Sequence, residues 1–294
     1  MNDTPDATTV NALLNSDRHR AGLNDLTFEV TSVTRRYPWL ARVSGRIPGM
    51  ADTDPADWSH PNLAVRLAVP DADDALGPLI GQAGICRRVY TLANVDTASS
   101  TADIDIVVHG STSPMMRWLT GLTPGDTVDF SGPRPHPAPT GQDAVDPAGR
   151  IHLLADGSAY PAASAIARSV PGIATVVLAL PDRDSQTATY SADFPGAQII
   201  FAGESDTPLA DALADLDTPA TDTVWAAGER EDIRAVRALS LKERKLPRSQ
   251  VQVFGYWRRG KTGTDTDLAR LQGVARMQAE GRELTADDDF EIEI

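Results

Sequence analysis

Ile173-Ala174-Thr175-Val176-Val177-Leu178-Ala179-Leu180 is an apolar run of the kind that a strand buried on both faces requires. Leu63-Ala64-Val65-Arg66-Leu67-Ala68-Val69 instead alternates and stops at Pro70, as a strand with one core face does. The chain changes its pattern between these two stretches. From Phe28 to about Gly132 the segments are short and strand-like. Phe28-Glu29-Val30-Thr31-Ser32-Val33 alternates, Ile104, Ile106 and Val108 alternate with Asp103, Asp105 and Val107, and Thr127-Val128-Asp129-Phe130 follows the turn Pro124-Gly125-Asp126. Short strands parted by Gly, Pro and Asp predict an antiparallel barrel or sandwich. One helix is expected over residues 114–122, with Pro114 suited to the first helical position.

Residues 133–147 are rich in Pro, Ala, Gly and Asp and read as a linker. Beyond them apolar runs alternate with helical patterns. Runs at 151–155, 173–180, 198–202, 224–227 and 251–254 are separated by helices expected over 161–170, 208–216 and 229–244. That rhythm predicts a parallel sheet with crossover helices, a layout that binds nucleotides beyond the carboxyl ends of its strands. An amphipathic helix is expected over 265–284, with Leu268, Leu271, Val274 and Met277 on one face. The fold class is therefore α+β with two domains, an N-terminal antiparallel β-barrel followed by an α/β parallel-sheet nucleotide-binding domain. The boundaries fall at a polar leader over 1–24, the barrel over 25–135, the α/β domain over 148–260, and a C-terminal helix with an acidic tail over 261–294.

At 294 residues the chain is long enough for about two domains of ordinary size. No window approaches the ~20 apolar residues of a membrane span. The start, Met1 to Val10, is polar and acidic and does not read as a secretory signal. A net charge of −14 repels nucleic acid and anionic membrane at long range. Cys86 is the single cysteine, which suits a reducing cytoplasm, and its expected role is packing. No His, Cys, Asp and Glu set has metal-ligand spacing. The expected protein is a cytoplasmic monomer that neither enters a membrane nor binds nucleic acid.

Two short stretches carry chemistry. Arg87-Arg88-Val89-Tyr90-Thr91 reads as a turn or short strand that groups a cation, a ring and a hydroxyl. Arginine forks onto phosphate oxygens, tyrosine covers a ring face, and threonine reaches a polar ring edge. Gly255-Tyr256-Trp257-Arg258-Arg259-Gly260 sets two aromatic residues beside Arg258, Arg259 and Lys261. If the stretches meet in space, they enclose a flat redox cofactor beside a cationic patch. Each string alone fits a core tyrosine and a solvated arginine at least as well.

Taken in order along the chain, these blocks resemble the siderophore-interacting protein family, FAD-dependent ferric-siderophore reductases of the ferredoxin-reductase-like superfamily. The resemblance rests on Arg88 to Thr91, on Ile106 to Gly110 with Ser113 to Trp118, on Pro124-Gly125-Asp126 and Gly132-Pro133, on Asp156 to Pro161, on Trp225-Ala226-Ala227-Gly228-Glu229, and on Gly255 to Gly260. It implies FAD in the barrel. Arg88 would pair with the diphosphate, Tyr90 would pack along the isoalloxazine, Thr91 would reach its N5 edge, and Val89 would belong to the same FAD-binding set. Val107, Val108 and His109 would meet the adenosine side, while the amides around Ser113, Met115 and Met116 would suit phosphate oxygens. Trp257 and the loop after it would cap the flavin. Asp156, Ser158, Gly228 and Glu229 would hold nicotinamide, and NAD(P)H is the implied co-substrate. Arg258, Arg259 and Lys261, with Arg87 and Arg117 behind them, would dock an anionic ferric siderophore.

Departures accompany the resemblance. Ala93 stands where the family often has a second arginine, Met115 and Met116 are bulky, and Gly157 and Ser158 replace the usual Glu and Thr. A ferredoxin-linked or general flavin reductase, or a non-catalytic flavin- or siderophore-binding module, therefore stays open beside the NAD(P)H-dependent reading.

Overall fold

The alternating patterns of the first half close into a six-stranded antiparallel barrel. The computed structural model describes residues 23–71, 84–110, 113–140, 146, 148–181, 187–262 and 265. The barrel strands are β1 (Asn24–Tyr37), β2 (Leu40–Arg46), β3 (Leu63–Pro70), β4 (Ile85–Asp96), β5 (Thr101–Val107) and β6 (Thr127–Pro135), in the order β1-β2-β5-β4-β3-β6. Their inward residues, among them Phe28, Val43, Val65, Leu92, Ile104 and Phe130, meet in one core. Each such side chain stabilises the fold by about 1.5–3 kcal/mol when fully buried. Gly45 on β2 faces the Phe28 ring so closely that an added Cβ would overlap it. Helix α1 (Pro114–Gly121) starts at Pro114 as expected, and its Met115 and Met116 side chains join the barrel core.

The apolar runs of the second half become five parallel strands: β7 (Ile151–Asp156), β8 (Ile173–Ala179), β9 (Gln198–Phe201), β10 (Thr223–Glu229) and β11 (Val251–Trp257). Their order is β11-β10-β7-β8-β9. The helices between them are α2 (Tyr160–Ser169), the single turn α3 (Thr187–Tyr190), α4 (Pro208–Ala214) and α5 (Arg230–Ala238). Successive residues of a strand serve opposite faces. Leu153, Val176 and Trp225 pack with α2, whereas Leu154, Val177 and Val224 pack with α4 and α5.

Three expectations change. Arg87 to Thr91, expected in a turn or short strand, lie in a strand, and at 12 residues β4 is longer than expected. The helix expected over 229–244 begins one residue later, because Glu229 ends β10, and it gives way at Leu239 to a π-helical turn. There the Ser240 hydroxyl donates to the Val236 carbonyl at 2.8 Å and competes for the helical acceptor. The linker expected from residue 133 starts later as well. β6 runs through Pro135, Ala138 is buried in the sheet core, and the Pro137 carbonyl accepts from both Trp225 Nε1 and Asn62 Nδ2. The helix expected over 265–284, except for Asp265, lies outside the described residues, as do residues 1–22 of the leader and the acidic tail.

The barrel seats on the α2 face of the sheet. Trp39 and Leu40 are buried in the sheet's core, and Trp39 Nε1 donates to the Tyr190 hydroxyl at 3.2 Å. Tyr37, Trp39, Tyr160, Tyr190 and Phe194 form a continuous aromatic cluster with mostly edge-on contacts. Beside it Arg36 forks onto Asp193 at 2.7 Å and reaches Asp105 at 3.1 Å, and Arg168 approaches Asp193 from α2. Tyr37 and Tyr160 also donate to the Asp193 carboxylate. Burial alone would raise Asp193, but the hydrogen bonds from Tyr160 and Arg36 outweigh it and hold the carboxyl below its ordinary range.

Candidate functional site

Strand period divides the first motif. Val65 and Leu67, both in the barrel core, pair with Tyr90 and Arg88, so these two share the inward face of β4 with Cys86 and Leu92. Thr91 and Val89 take the opposite face. The motif therefore does not converge through its side chains as a turn would. Burial raises the Tyr90 hydroxyl well above its ordinary value. Arg88 Nη1 donates to the Arg87 carbonyl at 2.9 Å, which leans the guanidinium along its own strand. Val89 is 57% exposed, and with Trp257 at 42% it makes up the large exposed apolar side chains among the described residues. One bare apolar surface thus falls in each of the two motif stretches.

The stretches approach one another through the start of β3. Tyr256, next to Trp257, interacts with the side chain of Asn62. Two residues on, Ala64 pairs with Thr91. On the other side of the joint, the Val108 amide donates to the Trp39 carbonyl at 2.7 Å, and the Trp39 ring lies against Gly157. Val107 and Val108 thereby border the loop after β7, while His109 is exposed. At the mouth of α1, the Ser113 hydroxyl accepts the Met116 amide at 3.3 Å. That amide already has a partner, and the two methionines are turned into the core.

The end of β11 is tied to the ends of its neighbours. Trp257 Nε1 donates to Asp156 Oδ2 at 2.6 Å. The other oxygen of Asp156 accepts the Ser158 amide, the Ser158 hydroxyl and the Ala159 amide. Burial raises Asp156 although these donors oppose it. Gly228, at φ +153, is required here, because a Cβ would stand 2.7 Å from the Asp156 carboxylate. Glu229 Oε2 accepts the amides of Glu231 and Asp232 and so caps α5, and its Oε1 accepts the Arg259 amide. Arg258 lies 3.8 Å from Glu231, Arg259 reaches Asp206 at 2.8 Å, and Lys261 is exposed beside Asp265. Of the weaker candidates, Arg117 pairs with Asp71 at 2.6 Å, and Arg87 stays half-buried on β4.

Sequence reasoning missed Asp232. It is 2% exposed, and its two oxygens accept the Leu209 and Ala210 amides at the start of α4. Burial first, and then the charges of Asp156 and Glu229, push it up to about 6. The signal available was the acidic first turn Glu229-Arg230-Glu231-Asp232, but such a turn caps its own helix as a rule.

Comparison with known proteins covers both halves of this geometry. Residues 29–136 match the family model described as siderophore-interacting FAD-binding domain, and residues 148–260 match that described as siderophore-interacting protein. The ferric acinetobactin reductase of Acinetobacter baumannii is 28% identical over 285 residues, which cover 95% of this chain and 94% of that protein. The solved siderophore-interacting protein from Acinetobacter baumannii superposes with a TM-score of 0.72 at 27% identity, over 87% of this chain and 99% of that one. The Amycolatopsis cytochrome P450 reductase GcoB shares the fold, with a TM-score of 0.60 at 20% identity over 81% of this chain and 71% of that one.

Proposed function

Because this chain belongs to the siderophore-interacting protein family, we propose that it is an FAD-dependent reductase that passes electrons to chelated iron(III) and releases iron(II). The observation that carries the reading is one exposed apolar side chain in each motif stretch, Val89 on the face of β4 that it shares with Thr91, and Trp257 at the end of β11. An apolar surface with a hydroxyl on the same face fits a flat ring, and a cation on the neighbouring residue of the strand fits the diphosphate that the ring carries. FAD, when bound, supplies the conversion between a two-electron donor and a one-electron acceptor.

The residues hold and orient. Arg88 offers the charge for the diphosphate, Val89 and Trp257 offer apolar surface to the ring, and Thr91 offers a hydroxyl. Trp257 is fixed by its bond to Asp156, so the surface it offers is already oriented. Val107, Val108 and His109 border the same joint. Arg258, Arg259 and Lys261 attract an anionic ferric siderophore. The Arg259 to Asp206 pair is exposed on both sides, and such pairs contribute about 0–1 kcal/mol, so an anionic chelate can exchange for Asp206. The donor is NAD(P)H or a reduced ferredoxin, and the reaction belongs in the cytoplasm.

The test is an anaerobic visible spectrum of the FAD-loaded protein, reduced and then mixed with a ferric siderophore. Recovery of the oxidised flavin band on mixing supports the reading. A reduced band that persists with every ferric chelate overturns it.

A further inference from the structure

The order β11-β10-β7-β8-β9 makes the gap between β7 and β10 the switch point of the sheet, since the helices that follow these strands leave on opposite faces. Open parallel sheets bind a dinucleotide in that gap, with its diphosphate on the amides of helix N-termini. Here the gap is filled. The Asp156 carboxylate stands opposite Gly228, so close that even a methyl on Gly228 would meet it at 2.7 Å. It takes the Ser158 and Ala159 amides at the entry to α2. Glu229 takes the Glu231 and Asp232 amides at the start of α5. Asp232 takes the Leu209 and Ala210 amides at the start of α4. The three carboxyl residues are 9%, 6% and 2% exposed.

An incoming diphosphate would have to displace one of these carboxylates or lie beside all three. Displacement strips a buried carboxylate of its donors. Cohabitation sets like charges together where water screens them poorly. The cations Arg258 and Arg259 lie against Glu231 and Asp206, outside the three carboxylates, and the stem of the buried Arg230 packs against Gly255. Trp257 and the Arg259 amide add further donors to Asp156 and Glu229, which fastens the carboxylates in place.

We infer that Asp156, Glu229 and Asp232 are specificity-determining residues that keep a dinucleotide diphosphate out of the switch-point gap, so that the electron donor reaches the flavin without docking a diphosphate there. The inference deepens the reductase reading and rests on it for the word donor. The sheet keeps the architecture of a nucleotide-binding domain and has turned its anion-binding amides inward.

Calorimetric titration of the FAD-loaded protein with ADP-ribose, which carries the diphosphate without the nicotinamide, tests it. The expected result is no saturation below about 1 mM, the upper end of ordinary substrate affinities. Glu229→Gln and Asp232→Asn each remove a charge and keep an acceptor, and each should tighten ADP-ribose about tenfold or more. Wild-type binding in the micromolar range overturns the inference without recourse to a variant. Variants that melt normally and bind no tighter overturn it as well. Failure of the reductase reading is separately visible, because flavin reduced with dithionite and mixed with a ferric chelate reports electron transfer with no nucleotide present.

Discussion

Strand β4 of the barrel and the carboxyl edge of the parallel sheet face the same joint with opposite provisions. β4 carries a bare Val89 with Thr91 on one face and Arg88 on the other. The sheet edge presents three buried carboxylates, each already bonded to backbone amides. The sheet has the strand order of a nucleotide-binding layout, yet its anion-binding donors are committed internally. The difference teaches that a nucleotide-binding layout is a scaffold, and that what it accepts depends on whether its donors are spoken for.

The comparison breaks most completely if the joint is loosened. Asp193 gathers Arg36, Arg168, Tyr37 and Tyr160 between barrel and sheet. Asp193→Asn leaves two arginines without their shared anion, and removing one partner of a buried ion pair costs about 3–5 kcal/mol. Urea unfolding followed by tryptophan fluorescence should show that loss. Asp193 has a lowered folded pKa, so its contribution is present above the ordinary carboxylate range and is lost as pH falls through the folded value. The variant should therefore lose part of the wild type's acid sensitivity. Next in size is Arg88→Ala on β4. A lost charge-assisted hydrogen bond costs about 1.5–3 kcal/mol, which weakens FAD by about ten- to a hundredfold in a fluorescence titration. Unchanged FAD affinity would place the open side of the comparison elsewhere than on β4.

The barrel and the sheet were legible because their patterns have different periods. The alternation at Leu63 to Val69 and the apolar run at Ile173 to Leu180 each became the strand expected of it. β2 was not legible, since its inward positions are Ala41, Val43 and Gly45, and the Phe28 ring fills the space over Gly45 that a side chain would otherwise announce. Both motif stretches were legible as strings, but the strand period that sets Thr91 apart from Arg88 and Tyr90 was not, because β4 was read as too short. The carboxylate edge could not be read at all. Asp232 caps a helix that begins more than 20 residues before it in the chain, and only the crossing of β9 to β10 brings the two together. Asp156 and Gly228 are matched across two strands, a pairing that local sequence does not record.

Gly228→Ala tests that pairing. The residue sits at φ +153, and its new methyl would meet the Asp156 carboxylate, so the strain should cost about 1–3 kcal/mol. Asp156 must shift, and the bond from Trp257 Nε1 shifts with it, which a change in tryptophan emission would report. An unaltered spectrum and stability would mean that the gap is roomier than the comparison requires.

The smallest effect is also the most specific to the sheet edge. Asp232 titrates at about 6 when folded, against about 4 for an unfolded carboxyl. Asp156 from β7 and Glu229 from β10 face it with like charge, the amides of Leu209 and Ala210 face it from α4, and Arg230 precedes it on α5. A folded pKa above the unfolded one means that the native state holds the proton more tightly. The stability this contributes is fully present below pH ~4 and is lost as pH rises through about 6. Between pH 5 and 7 the loss is about 1 kcal/mol. Asp232→Asn cannot titrate, so the difference in unfolding free energy between wild type and variant should drift by that amount across the interval. A flat difference would mean that Asp232 carries no extra proton affinity and that the carboxylates do not press on one another. In that case the edge would be less acidic than the barrel strand is basic, and a diphosphate would find less to oppose it.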